Sequence, residues 1–375
     1  MNSSHPGSFA RAHKVLLDRS LVQGLYQDCP VLMTGVVLNL EGQVHRARRK
    51  LMAPVFSSSH AQNLEQWLDE AAIRPSIADL CAAGGGDLVA FAERIALVMA
   101  LKLVGVGCTP ARYGALLETI RTFGQGATSA QSLESQEALN QRVDAELKQF
   151  VVEYLNPEIA ARNEGPGDAL SDLLQILLAA RDRGELTTDQ LQRDVAFLMQ
   201  ASVFSTSNAL VHVFHELIQS PQLTLAEMGN RQSLLPLQRA IHEALRLHPA
   251  SPIMRRVAAE NQHHQVEINL QEANQDSTIF GRDAERFNPR RWVADQRPFL
   301  GLTFGTGHHS CPGRVLVAGR VRTEKRSGNE VQVGLLTRVI AALGRAKLRP
   351  DESQPPVLRA NTTRGVWASY PLTCQ

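Results

Sequence analysis

The run Thr187-Thr188-Asp189-Gln190, with apolar residues at helical spacing as far as Gln219 and a stop at Ser220-Pro221, most limits how this chain can fold. A Thr followed three residues later by Gln is a capping-box signature: the two side chains satisfy backbone donors that the first helical turn leaves open. At about 1.5 Å of rise per residue, the helix it opens can cross most of a domain. Elsewhere aromatics are few, Ala, Leu, Gln, Glu and Arg dominate long segments, and apolar residues recur at three and four. This spacing predicts helices from Gly86-Asp87-Leu88-Val89 to Gly107, from Ser129 to Tyr154, from Asp168 to Asp182 and from Leu235 to Leu247, the last ended by His248-Pro249. Glu164-Gly165-Pro166-Gly167-Asp168 reads as a surface turn. The fold class is mainly α with a small β part.

The middle of the long helix is unusual. Ser202, Ser205, Thr206, Ser207 and Asn208 crowd one stretch of an otherwise apolar segment. Such residues bond to nearby backbone, so their grouping suits either a kink or lined cavity, or a helix whose hydroxyls bond back to itself.

The second constraining stretch is Phe304-Gly305-Thr306-Gly307-His308-His309-Ser310-Cys311-Pro312-Gly313-Arg314. Its glycines permit a sharp bend or a close backbone approach to a flat ligand. Cys311 precedes an expected helix start, where unpaired N–H groups and the positive end of the helix dipole stabilise a thiolate. Three other readings compete. Gly305-x-Gly307-x-x-Ser310 is a weak dinucleotide fingerprint, with Glu324 near the ribose position, and it has no use for Cys311. His308, His309 and Cys311 as zinc ligands lack the usual tetrahedral spacing and a second pair. Cys311 as an inert buried cysteine is the third.

Composition narrows the function classes. A formal charge of +2 gives no footprint for nucleic acid. Cys29, Cys81, Cys108, Cys311 and Cys374 are odd in number and scattered, which points to a reducing compartment. Met1 to Arg11 lacks the apolar core of a signal peptide, and the most apolar stretch, Phe91 to Val106, carries Glu93, Arg94 and Lys102. A soluble cytoplasmic protein with no membrane partner is expected.

Phe304, Gly305, Gly307, His309, Cys311 and Gly313 fill every defined position of Phe-Gly-x-Gly-x-His-x-Cys-x-Gly, and the loop thereby resembles the cysteine-ligand loop of the cytochrome P-450 haem-thiolate enzymes. Other motifs follow in the family's order. His45 and Arg49, four apart just after Gly42, match a His-x-x-x-Arg pair that donates to a haem propionate. Glu243-x-x-Arg246 with Arg291 of Phe287-Asn288-Pro289-Arg290-Arg291 resembles the family's buried triad, although in isolation Glu243 and Arg246 read as a surface pair. Pro252-Ile253-Met254-Arg255-Arg256 resembles the strand that brings an arginine, here Arg256, to a propionate. Ala273-Asn274-Gln275-Asp276 resembles the loop ahead of the cysteine region, and Arg364-Gly365-Val366-Trp367 the closing hairpin. The resemblance runs from His45 to the C-terminus.

It implies a single haem-thiolate domain over 1–375 holding haem b, iron protoporphyrin IX. The cofactor would be bound by His45, Arg49, Arg256, Phe304, Gly305, His309, Cys311 and Gly313, with Cys311 the metal ligand. It also implies a monooxygenase acting on an apolar small molecule with dioxygen, with electrons from a separate ferredoxin or flavodoxin docking on Arg46, Arg48, Lys50 and Arg314. The departures are specific. Met1 to Leu17 shows no counterpart of the usual first helix and N-terminal strands, so a reduced N-terminal sheet is expected. Leu25, Val31, Leu32, Met33, Val36, Val37 and Leu38 lie where the family covers its substrate, and equally suit ordinary core. Arg320 to Asn329 interrupts the helix expected after Cys311. On the central helix Ala201-Ser202-Val203-Phe204-Ser205-Thr206 has Phe204 where the family carries an acid. That leaves Ser205 and Thr206 as the catalytic candidates for ordering a proton-carrying water. A peroxide-dependent or isomerase-type enzyme, or a non-catalytic haem binder of the same fold, is the alternative.

Overall fold

The computed structural model describes residues 8–26, 28–128, 135–163, 172–230, 234–260, 265–291, 299–320, 332–360 and 365–374. The expected surface turn Glu164 to Asp168 and most of the interruption after Cys311 lie outside them. The central helix forms as its capping box requires. It spans Thr188–Gln219, 32 residues, with the Thr187 hydroxyl accepting from Gln190 N at 3.2 Å and Gln190 Oε1 accepting from Thr187 N at 2.9 Å. Leu88–Val104 lies along it; Asp87 caps that helix by accepting from Val89 N at 2.7 Å, and eleven of its residues are buried. Tyr113–Ala127 and Leu235–Leu247 pack on the same rod. The helix expected from Ser129 to Tyr154 is described from Gln136 to Phe150, then passes through a π turn, Val151–Leu155, into Asn156–Asn163.

The strands, in chain order, are β1 (Leu21–Gln23), β2 (Gly85–Asp87), β3 (Ile253–Ala258), β4 (Gln265–Asn269), β5 (Arg349–Pro350), β6 (Val357–Leu358), β7 (Trp367–Ser369) and β8 (Pro371–Thr373). Among the described residues they form three small antiparallel sheets, β1-β3-β4, β2-β8-β5 and the hairpin β6-β7. One expectation is corrected here. Met1 to Leu17 does carry a first helix, Phe9–Leu17, which Ser8 caps, and Phe9, Ala12 and Leu16 bury its apolar face. The first sheet is small as expected, with β1 supplying its single N-terminal strand. Leu25, Leu32, Met33, Val36 and Val37 are buried at 6% exposure or less, and all but Leu25 belong to the main core. No helix among the described residues is long and apolar enough to cross a membrane.

Candidate functional site

The cysteine loop is held from below by a buried polar frame. Glu243 and Arg246, one turn apart, form a two-pronged pair: Arg246 Nε donates to Glu243 Oε2 at 2.8 Å and Nη2 to Oε1 at 2.7 Å. Arg291 Nε adds a third bond to Glu243 Oε1 at 2.7 Å. Arg246 is fully buried and Glu243 is 4% exposed, so the surface-pair reading is wrong: burial removes the competing water, and the remaining donors find the carbonyls of Asn274, Ala284, Asp283 and Arg286. The frame reaches the loop through Asn274. Its amide donates to Arg246 O at 3.0 Å and to Thr303 Oγ1 at 3.1 Å, while its oxygen accepts from Leu302 N at 2.6 Å. Gly301 is required beside it: φ is +56°, and a Cβ there would lie 2.2 Å from Asn274 Oδ1.

The loop then turns on Gly305 and Gly307, with φ of +65° and +73°. Cys311 N donates to Phe304 O at 2.8 Å, closing it, and Arg49 Nη2 donates to Ser310 O at 2.9 Å from the neighbouring helix Gly42–Met52. The next helix is shorter than the motif suggested. It runs only Arg314–Ala318 and ends at Gly319, where φ is +73° and the backbone meets residues 333 and 334. Gln238 and His242, four apart on Leu235–Leu247, hold that end. Gln238 Nε2 donates to Ala318 O and Val333 O, both at 3.1 Å, and His242 Nε2 to Ala318 O at 2.7 Å. Their polar side chains on a buried helix face were the overlooked signal.

Cys311 lines a recess: solvent reaches its surface, while the protein around the sulfur desolvates it. That burial pushes the thiol up, and the Gly313 N–H, the Arg49 charge and the Arg314 N–H pull it back down. The donors are those a thiolate ligand uses.

Beside the loop, imidazoles gather around Glu41. The His45 ring centroid is 4.4 Å from that of His309, and His309 Nε2 lies 2.9 Å from Glu41 Oε1, with His308 Nε2 3.4 Å from Glu41 Oε2. Burial, then the charges of His309 and Arg49, lower His45 to about 4, so it is neutral near pH 7. Arg256, 2% exposed, pairs in register with Gln23 across β1 and β3 and donates to Gln23 Oε1 at 2.8 Å. No carboxylate of the described residues lies within ion-pairing distance of it. The Glu41 charge acts on this buried guanidinium from beyond pairing distance, so its donors have room for a further anion, and the acidic propionates of a haem are anions that fit. Glu41 was missed in the sequence, since a single acid beside a basic helix carries no pattern. The dinucleotide reading needs a strand running into Gly305, and residues 301–304 are turn. Among the described residues the possible ligand atoms that cluster here belong to Glu41, His308 and His309, without Cys311.

Two further placements correct the sequence reading. Arg48 is 5% exposed and pairs with Asp194 of the central helix, itself fully buried, whereas Arg46, Lys50 and Arg314 are exposed. Arg48 is thus no part of a docking face: it lies one position from Arg49 on the inward side of the helix. Burial raises Asp194 to about 6 against the pull of Arg48. On the central helix, Ser205 is exposed and its hydroxyl donates to Ala201 O at 2.6 Å; Thr206 is 4% exposed. Phe204 stacks on Arg121, whose guanidinium carbon lies 4.7 Å from the ring centroid.

Residues 133–318 match the family model described as Cytochrome P450. Among curated proteins, sugiol synthase of Salvia miltiorrhiza is 27% identical over 205 residues, covering 45% of this chain and 41% of that protein. Cytochrome P450(MEG) of Priestia megaterium is 26% identical over 283 residues, covering 72% of this chain and 65% of that protein. The chain spans about two fifths of the length of the first curated relatives it matches. The crystal structure of CalO2 superposes with a TM-score of 0.78 at 21% identity, covering 98% of this chain and 90% of that one, a likeness of fold. The family match ends on the helix behind Cys311 and the shared fold extends over nearly the whole chain, so this chain is similar to the cytochrome P450 family over residues 133–318 and has the fold of the solved structures it matches.

Proposed function

We propose that residues 1–375 form one haem-thiolate domain that holds haem b through Cys311 and acts as a monooxygenase on an apolar small molecule. The observation that carries this is the convergence on one loop of N–H donors and Arg49 around the Cys311 sulfur, with the imidazoles of His45 and His309 and the buried guanidinium of Arg256 beside it. When bound, the haem supplies the iron at which dioxygen is activated. The chain's own part is binding and proton handling. The Gly313 and Arg314 N–H groups would donate to the sulfur against the upward push of burial, His45, Arg49, Arg256 and His309 would hold the propionates, and the backbone bends at Gly305 beside Phe304 to admit a flat ring. Ser205 donates its proton to Ala201 O, which leaves its oxygen free to accept from a water, and Thr206 lies on the next position. These hydroxyls stand in for the acid that Phe204 replaces. Electrons come from a ferredoxin or flavodoxin drawn to Arg46, Lys50 and Arg314.

The test is spectral. Purified with haem, reduced and exposed to carbon monoxide, the protein should give the red-shifted Soret band of a thiolate complex, and Cys311→Ser should lose it. A wild-type protein that binds haem without that band refutes the reading. Turnover unaffected by salt and by charge reversal at Arg46, Lys50 and Arg314 would remove the docking face.

One observation favours a peroxide-dependent enzyme as the second reading. Arg121, ion-paired with Glu93 and Glu118, brings charge against Phe204, at the level where the family's acid sits. Faster turnover with peroxide alone than with a reductase system would select it.

A further inference from the structure

We propose that Cys81 and Cys374 are a disulfide-forming pair, a modification site at the sheet β2-β8-β5. Their sulfurs lie 3.3 Å apart although the residues are 293 positions apart in sequence. The approach is built by the fold. Cys81 stands one residue before the end of the helix Arg74–Ala82, and Gly84 and Gly85, with φ of +75° and +151°, turn the chain into β2. That strand pairs with β8, Gly85 opposite Thr373, and Cys374 N donates to Gly84 O at 3.0 Å. A Cβ on Gly85 would lie 2.2 Å from Leu372 O, so the two strands meet only because glycine stands there. Both thiols are half-buried. Closing the gap to the bonded length of about 2.05 Å needs a shift of little more than an ångström, within reach of side-chain rotation.

The other cysteines are placed differently. Cys29 is 1% exposed, the Cys108 sulfur is 3.5 Å from the carbonyl of Thr109, and Cys311 lines the recess described above. The reaction is a two-electron oxidation. The Cys81 thiolate attacks one sulfur of a small disulfide such as oxidised glutathione, releasing one glutathione thiolate. The Cys374 thiolate then attacks the mixed disulfide and releases the second, so that two thiols become one S–S bond and the glutathione dimer is reduced. Burial, and then the neighbouring Cys374 thiol, hold the Cys81 pKa up, which makes the oxidation faster as pH rises. The bond would join the helix Arg74–Ala82 to β8 and so clamp the start of Leu88–Val104, where Asp87 accepts from Tyr370 N at 3.0 Å. It is independent of the haem reading.

The experiment uses the haem-loaded full chain, incubated with oxidised glutathione, alkylated, and mapped by mass spectrometry without reduction. The expected result is a Cys81–Cys374 linked peptide, with two of the five thiols lost together and a thermal midpoint raised by several degrees, a rise that Cys81→Ser and Cys374→Ser abolish. Recovery of both cysteines free, or each capped singly by glutathione, overturns the proposal. Because the linked peptide is sought in the wild-type chain, the outcome is decisive even if a serine variant fails to fold.

Discussion

Glu243→Gln tests whether the polar frame under the cysteine loop owes its strength to charge. The substitution keeps size and shape but replaces a carboxylate that accepts from Arg246 Nε, Arg246 Nη2, Arg291 Nε and Asn288 N at 2.7–3.2 Å. Two guanidiniums, fully buried and 4% exposed, lose their shared counter-ion, and an NH2 donor now faces another donor. Arginine cannot escape by deprotonating, so the cost is that of a broken buried pair, about 3–5 kcal/mol. With an unfolding entropy of about 2.1 cal/mol/K per residue, the whole chain has about 0.8 kcal/mol/K, and the thermal midpoint should fall by about 4–6 °C. Because Asn274 links Arg246 to Leu302 and Thr303, haem retention should fall as well. Calorimetry and the rate of haem transfer to an acceptor protein measure the two effects. A variant within about 1 kcal/mol of wild type would mean that hydrogen-bond count, not charge, holds the frame.

Of Ser205→Ala and Thr206→Ala, at least one should release peroxide and lower the product formed per electron consumed; full coupling in both would refute the hydroxyl relay. Gly307→Ala must carry a side chain at φ +73° with Leu16 O only 3.1 Å from its Cβ, a penalty of roughly 1–2 kcal/mol, and should speed haem loss in the transfer assay. Burial lowers His212 and His242 to about 4, so the unfolded chain binds more protons than the folded one between about pH 6.5 and 4, and stability falls as pH falls through that window. Asp194, raised to about 6, offsets part of this, since its folded form takes up its proton first as pH drops. His242→Gln keeps a donor for Ala318 O and should reduce the acid loss by about 3 kcal/mol in urea titrations, whereas an unchanged acid limb would show His242 titrating normally. Arg256→Met should leave the haem-free protein as stable or more so while weakening haem binding; an equal loss in both states would contradict a propionate role.

The central helix was legible residue by residue, because its capping box and stop are local chemistry that no tertiary contact has to supply. The helix Leu235–Leu247 was read to its last residue for the same reason. The cysteine loop was legible too, since its glycines need positive φ whatever surrounds them. Tertiary structure decided which charges go inside. Arg46 and Arg48 are alike in sequence, yet Arg48 faces the core because Asp194 waits on a helix 146 residues later. Glu243 and Arg246 read as a surface pair until Arg291, Asn274 and Ala284 closed over them. Glu41, Gln238 and His242 gained their roles only from neighbours far along the chain, as did Cys81 and Cys374. Local backbone preference is written in adjacent residues, whereas the desolvation that makes a buried charge need a partner exists only once distant segments have excluded water.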